Sequence, residues 1–124
     1  MRLNAQIGEY DMTIVILDLG LEVNVLTKKT WEQIGKPTLD WSPIQFRLAN
    51  QQKIVPLGRL PSVPVDIDGV CTIADFEVIE IIDDNNPYPA LLGIEWALDN
   101  DAVINLKKRQ MTFELRVIVP LDPS

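Results

Sequence analysis

The stretch Ile14-Val15-Ile16-Leu17-Asp18-Leu19-Gly20-Leu21-Glu22-Val23-Asn24-Val25-Leu26-Thr27 decides how the rest of the chain is read. A β-branched apolar run ends on a carboxylate, meets a glycine two residues later, and resumes as apolar chain ahead of a helix start. An ionised carboxylate in such company is costly unless it is paired or hydrogen-bonded. Asp18 therefore has two readings. It caps a turn by accepting backbone N–H groups, or it is a carboxylate with a tuned pKa that activates water.

Outward from this stretch, nine prolines and six glycines punctuate short β-branched runs, the pattern of a β-rich domain. Leu3 to Ile7 and Tyr10 to Leu17 read as strands about a Gly8-Glu9 turn. Further strands are expected over Ile44 to Leu48, Ile54 to Leu57, Val63 to Ile67, Cys71 to Ile82 and Met111 to Val119, with a tight hairpin at Asp68-Gly69. Two segments read as helices. Thr27 caps Lys28 to Ile34, which stops at Gly35 before Pro37, and Ile94 to Leu98 follows Gly93. The halves share one plan: strand, turn, strand, apolar-rich loop with glycine, helix. The first loop is Leu17-Asp18-Leu19-Gly20 and the second is Leu91-Leu92-Gly93. Between the halves, Leu48-Ala49-Asn50-Gln51-Gln52-Lys53-Ile54 has a polar centre and strand-like flanks, which predicts a projecting hairpin.

Composition narrows the chemistry. The 124 residues fit one domain with one core. Eighteen acidic side chains against eleven basic ones give a net charge of -7, which argues against nucleic acid as a partner. There is no histidine, so Ser/His and Cys/His pairs and the usual zinc sites are excluded, and no metal or cofactor is expected. The single cysteine, Cys71, forms no internal disulfide and reads as a small apolar strand residue. No apolar h-region follows Met1-Arg2, and no apolar run nears the ~20 residues of a membrane span, so an intracellular, cytoplasmic location without membrane contact is expected. Any catalysis falls to carboxylates. Asp66, Asp68, the Asp83-Asp84-Asn85-Asn86 loop, Asp99 and Asp101 read as solvated positions, as does the basic turn Lys107-Lys108-Arg109. Trp31, Trp41 and Trp96 read as core or groove-wall residues.

An aspartate closing an apolar strand, glycine two positions on, then Val23-Asn24-Val25-Leu26 and a helix resembles the first catalytic loop of retropepsin-like aspartic proteases. Leu91-Leu92-Gly93 after a long strand resembles the apolar-apolar-glycine loop of the same fold's second half. The hairpin between them lies where that family carries its flap. More narrowly, Asp18-Leu19-Gly20, Lys28-Lys29-Thr30-Trp31-Glu32, Arg47-Leu48-Ala49-Asn50 and Leu91-Leu92-Gly93-Ile94-Glu95-Trp96-Ala97 are similar to protease domains of plant long-terminal-repeat retroelements. The resemblance spans Arg2 to Phe113.

It implies an all-β fold: a closed, mostly antiparallel β-barrel with one or two short helices. The domain is expected over residues 1–116, with 117–124 as a linker stub. It also implies an endopeptidase that cleaves extended peptide or polyprotein substrates as a homodimer, since one chain supplies one catalytic aspartate, Asp18. Leu19, Gly20 and Leu21 complete the catalytic loop, and Leu91, Leu92 and Gly93 form the second loop. Ala49, Asn50, Gln51, Gln52, Lys53 and Ile54 form the substrate-binding flap. In the family the terminal strands of two subunits interleave, which assigns Arg2 to Ile7 and Gln110 to Val119 to the interface. Two positions depart from the pattern. Leu19 stands where most members carry a Ser or Thr that bonds across the dimer, and Leu21 where most carry Ala or Ser. Extra volume in a tight loop costs about 1–3 kcal/mol. The alternative implied by these two leucines is a catalytically inactive domain retained for dimerisation or peptide binding.

Overall fold

Two hairpins frame the molecule. In the computed structural model, which describes residues 2–8, 10–47, 53–80, 88–113 and 117–121, β1 (Arg2–Ile7) pairs antiparallel with β2 (Tyr10–Leu17). In the same way β6 (Gly58–Ile67) pairs antiparallel with β7 (Val70–Ile79). The second hairpin turns on Asp68 and Gly69, both at positive φ (54° and 83°), the backbone that a two-residue hairpin matching strand twist requires. Asp66 Oδ1 accepts the Gly69 N–H at 2.9 Å, so this acid closes the turn.

Each hairpin leads into a short strand and a helix. After β2 come β3 (Asn24–Thr27) and α1 (Lys28–Gln33); after β7 come β8 (Ala90–Leu92) and α2 (Ile94–Asp99). The short strands are exchanged between halves. β8 runs parallel to β2, β3 runs parallel to β7, and β3 and β8 pair antiparallel with each other. With β1 antiparallel to β6, the barrel closes in the order β1-β2-β8-β3-β7-β6. Exchanging the halves leaves that order unchanged, so the repeated plan in the sequence is a pseudo-two-fold barrel. Neither half closes without the other's third strand.

Ile7, Val15, Leu26, Val65, Phe76, Val78, Ala90 and Leu92 fill the barrel. Trp96 of α2 is buried against it, with its indole N–H donating to Thr72 Oγ1 at 3.1 Å. Thr27 caps α1 as expected: its Oγ1 accepts the Thr30 N–H at 3.2 Å. Thr30 Oγ1 donates to Pro89 O at 2.9 Å, fastening the helix to the chain entering β8.

Several boundaries differ from expectation, for physical reasons. β3 and β8 are buried at every residue, so they lack the alternation that marks a half-buried strand and read as loop. Of Ile54 to Leu57, only Ile54 is strand, within β5 (Lys53–Ile54), paired with β4 (Phe46–Arg47). β6 begins instead at Gly58, where a Cβ would come within 2.8 Å of Leu39 Cβ. Met111 to Val119 is not one strand. β10 (Gln110–Phe113) and β11 (Val117–Pro120) are antiparallel partners, and with β9 (Val103–Asn105) they form a three-stranded sheet in the order β11-β10-β9. The stub expected over 117–124 therefore opens with a paired strand, and Leu121 beyond it is buried in the core. Trp41 is 82% exposed and is not a core residue. Cys71 is a free, exposed thiol. Residues 49–52 and 83–86 lie outside the described residues.

The halves are locked where the second loop crosses the first. Gly93 has no space for a side chain: a Cβ would collide with Val23 O and stand 2.6 Å from Leu21 O. Its N–H donates to Asn24 Oδ1 at 2.9 Å, while Asn24 Nδ2 donates to Asp75 O at 3.1 Å. Asn24 is buried, so both backbone groups lose this partner if the amide is removed. Asn24→Ala is expected to lower stability by about 2–5 kcal/mol in urea unfolding, and Gly93→Ala by more. A loss below about 1 kcal/mol for both would show that the crossing does not hold the barrel.

Candidate active site

Asp18 follows the last residue of β2 and opens the loop to β3. Two backbone bonds tie this loop to the end of β8. The Asp18 N–H donates to Leu92 O at 2.9 Å, and the Ile94 N–H donates to Leu21 O at 2.8 Å. Within the loop, the Leu21 N–H donates to Asp18 O at 3.2 Å and the Gly20 N–H donates to Asp18 Oδ1 at 3.0 Å. The turn-capping reading of Asp18 is thus satisfied through one oxygen. Among the described residues Oδ2 has no hydrogen bond, and the side chain is half-buried rather than enclosed. A carboxylate so held is oriented by the backbone and open on one side to a reactant.

Leu21 does not crowd it. Its side chain is buried in a second apolar cluster with Val25, Ile79 and Leu91, against which Ile16, Val23, Phe46, Ile54 and Tyr88 pack. The volume that overfills a tight loop is housed there. Phe46 and Ile54 come from β4 and β5, so the base of the expected flap hairpin rests on the cluster that anchors the Asp18 loop. Of the flap residues, Lys53 and Ile54 pair with Arg47 and Phe46; Ala49, Asn50, Gln51 and Gln52 lie outside the described residues. Leu91 and Leu92 are buried strand residues, and Gly93 is the crossing point. Leu19, next to the carboxylate, is the one member of the Asp18 loop quartet whose large apolar side chain faces solvent, at 39% exposure.

Two residues at this site were not singled out from sequence. Asn24 carries the crossing; a lone amide inside Val23-Asn24-Val25 was its only mark. Tyr88, between Pro87 and Pro89, packs on the second cluster. Burial lifts its phenol above the usual tyrosine range, and the negative charge of Asp18 lifts it further.

Other ionisable groups lie elsewhere. The Arg59 guanidinium donates through Nε to Glu77 Oε1 at 2.8 Å, and Glu77 is buried with its second oxygen unpartnered among the described residues. That bond and the Glu77 charge raise the Arg59 pKa. Glu95 is raised by burial first, then by Asp99, Asp75 and Glu77, against the lowering effect of Arg59. Among the described residues no group of three His, Cys, Asp or Glu side chains is placed to hold a metal ion. No helix among them is long and apolar enough to cross a membrane.

No family model matches the sequence, and no curated protein matches it. Solved structures do. The retroviral protease-like domain of Ddi1 from Leishmania major is similar with a TM-score of 0.77 at 20% identity, over 99% of this chain and 94% of that one. The EIAV protease complexed with the inhibitor HBY-793 is similar with a TM-score of 0.66 at 17% identity, over 86% of this chain and 92% of that one. The chain has the retropepsin-like fold.

The coupling of Tyr88 to Asp18 is open to a direct titration, since Tyr10 and Tyr88 are the chain's two tyrosines. In Asp18→Asn the phenolate absorbance step of Tyr88, assigned with Tyr88→Phe, is expected to move down toward the ordinary value near ~10. Because its folded pKa is raised, Tyr88 contributes stability below the ordinary tyrosine pKa that is lost as pH climbs through the folded value. An unmoved step would show that the phenol does not sense Asp18.

Proposed function

We propose that the chain is an aspartic endopeptidase domain that cleaves extended peptide or polyprotein substrates as a homodimer, with Asp18 of each copy forming the catalytic dyad. The observation that carries this reading is the setting of Asp18. A half-buried carboxylate is aimed by its own loop glycine, in a fold shared with retroviral proteases, and among the described residues one chain brings one such group to the site.

The chemistry follows from the pairing. Two carboxylates about 3 Å apart cannot both ionise, so they share one proton and their pKa values separate. The ionised member takes a proton from water as its oxygen attacks the scissile carbonyl carbon. The protonated member donates a hydrogen bond to the carbonyl oxygen. The tetrahedral intermediate then collapses as the aspartate that took the water proton passes it to the amide nitrogen and the C–N bond breaks. Each Gly20 N–H holds its aspartate in register, so orientation is set before substrate arrives. The hairpin based on Phe46 and Ile54 closes over the substrate backbone, which binds as an added strand. Tyr88, Phe46 and Ile54, packed on the cluster that holds Leu21, offer the substrate an apolar contact beside the Asp18 loop. The quoted stretches around Asp18, Lys28 to Glu32 and Leu91 to Ala97 support an origin in a plant long-terminal-repeat retroelement, and a cytoplasmic setting fits the single exposed thiol.

A second reading has one observation in its favour. Leu19 offers no hydroxyl to brace the loops of the two copies, which suits a domain kept for dimerisation or peptide binding. The two separate in an acid-pH peptidase assay on unstructured polypeptide with and without pepstatin. The enzyme reading expects pepstatin-sensitive cleavage, rising to an optimum between the two dyad pKa values and lost by about a thousandfold or more in Asp18→Asn. Cleavage that survives Asp18→Asn would refute the dyad. An inert wild type would favour the binding module.

A further inference from the structure

We infer that the two copies are held together at the site by an apolar strip, Leu19-Ile94-Leu98, that takes the place of a hydroxyl-mediated grip; this rests on the homodimer reading above. Leu19 lies between the two backbone ties that fasten the Asp18 loop to residues 92–94, from the Asp18 N–H to Leu92 O and from the Ile94 N–H to Leu21 O. These ties hold Leu19 and Ile94 on adjoining segments, and both side chains reach solvent. Leu98 is one helical turn beyond Ile94 and shares its face of α2, with Trp96 and Ala97 turned inward to the core. Leu98 is 70% exposed. Three large exposed apolar side chains therefore sit on segments joined by backbone hydrogen bonds to the Asp18 loop.

The occupant is a second copy of this chain. A dyad requires the Asp18 loops of two copies to meet, and whatever meets that loop also covers Leu19 and the side chains next to it. An isologous contact places the strip of one copy against that of the other. The charge balance agrees with an apolar contact. Each copy carries a net charge of -7, so the copies repel at long range, and short-range apolar burial must overcome that repulsion. Salt then screens the repulsion without weakening the contact, and association tightens as ionic strength rises. An interface built on ion pairs would do the opposite. The N-terminal strand contributes less than the family pattern implies, since Gln6 and Ile7 of β1 are already paired with β6 of the same chain.

Sedimentation equilibrium on the whole chain tests the inference. The wild type is expected to dimerise, more tightly at high salt. Ile94→Lys and Leu98→Lys are expected to raise the dimer dissociation constant about tenfold or more, even though each reduces the negative charge. Leu19→Ala, which adds no charge, is expected to weaken it several-fold. Ile73→Lys, an equal charge change at an exposed position on the β6–β7 hairpin, is expected to leave it unchanged or tighter. Circular dichroism melts establish that each variant is folded. Folded Ile94→Lys and Leu98→Lys proteins that dimerise like the wild type would overturn the strip while leaving the dyad reading standing. A dimer that obeys these expectations but cleaves nothing would leave the strip standing and remove the enzyme. A wild type that stays monomeric at the highest concentration would overturn both.

Discussion

One side-chain amide pins the point where the two loops of this barrel cross. Asn24 accepts the Gly93 N–H and donates to Asp75 O, linking the first loop, the second loop and β7 at a point with no space for a Cβ on residue 93. The strand exchange makes such a lock necessary. β8 reaches β2 by passing directly beside the backbone of Leu21 and Val23, and only a glycine lets the chains approach that closely. Once they cross, the Leu92 carbonyl and the Ile94 N–H fall into register with Asp18 and Leu21. The position of the candidate carboxylate is therefore a consequence of how the barrel closes.

The same closure explains why substitution in the Asp18 loop is tolerated unevenly. Leu21 points into a cluster that also receives the base of the β4–β5 hairpin, so bulk there strengthens a contact between loop and hairpin. Leu19 points outward and is 39% exposed. In the homodimer proposed above, the exposed leucine is the side of the loop that a second copy covers. In the proposed mechanism a single carboxylate cannot at once be the proton acceptor for water and the proton donor to a carbonyl, so that reading takes the second carboxylate from another copy.

Much of this could be read in the sequence where the physical signal was local. The hairpin turn at Asp68-Gly69 announced itself because two positive-φ residues are needed there, and Thr27 because a helix start needs an oxygen to accept free N–H groups. The repeated plan was visible because each half has to supply the same elements. β3, β8 and β9 were not visible. The first two are buried on all sides and show no period of two, and the third is three residues long. The roles of Asn24 and Tyr88 depend on partners 69 and 70 residues away in the chain, Gly93 and Asp18, which no local pattern encodes. Trp41 went against expectation because an apolar ring carries no information about whether the fold has a place for it. Of the expected flap the structure describes the base, where the apolar pair Phe46 and Ile54 packs on the second cluster.

Whether the active unit is one chain or two can be read from subunit mixing. Wild-type protein is exchanged with an equal amount of Asp18→Asn protein at constant total concentration, and peptidase activity is compared with that of the wild type alone. If each site takes one Asp18 from each of two freely exchanging copies, random pairing leaves about a quarter of the activity, because only wild-type pairs remain competent. Retention of about half would mean that each chain works alone, and the two-chain site would be wrong.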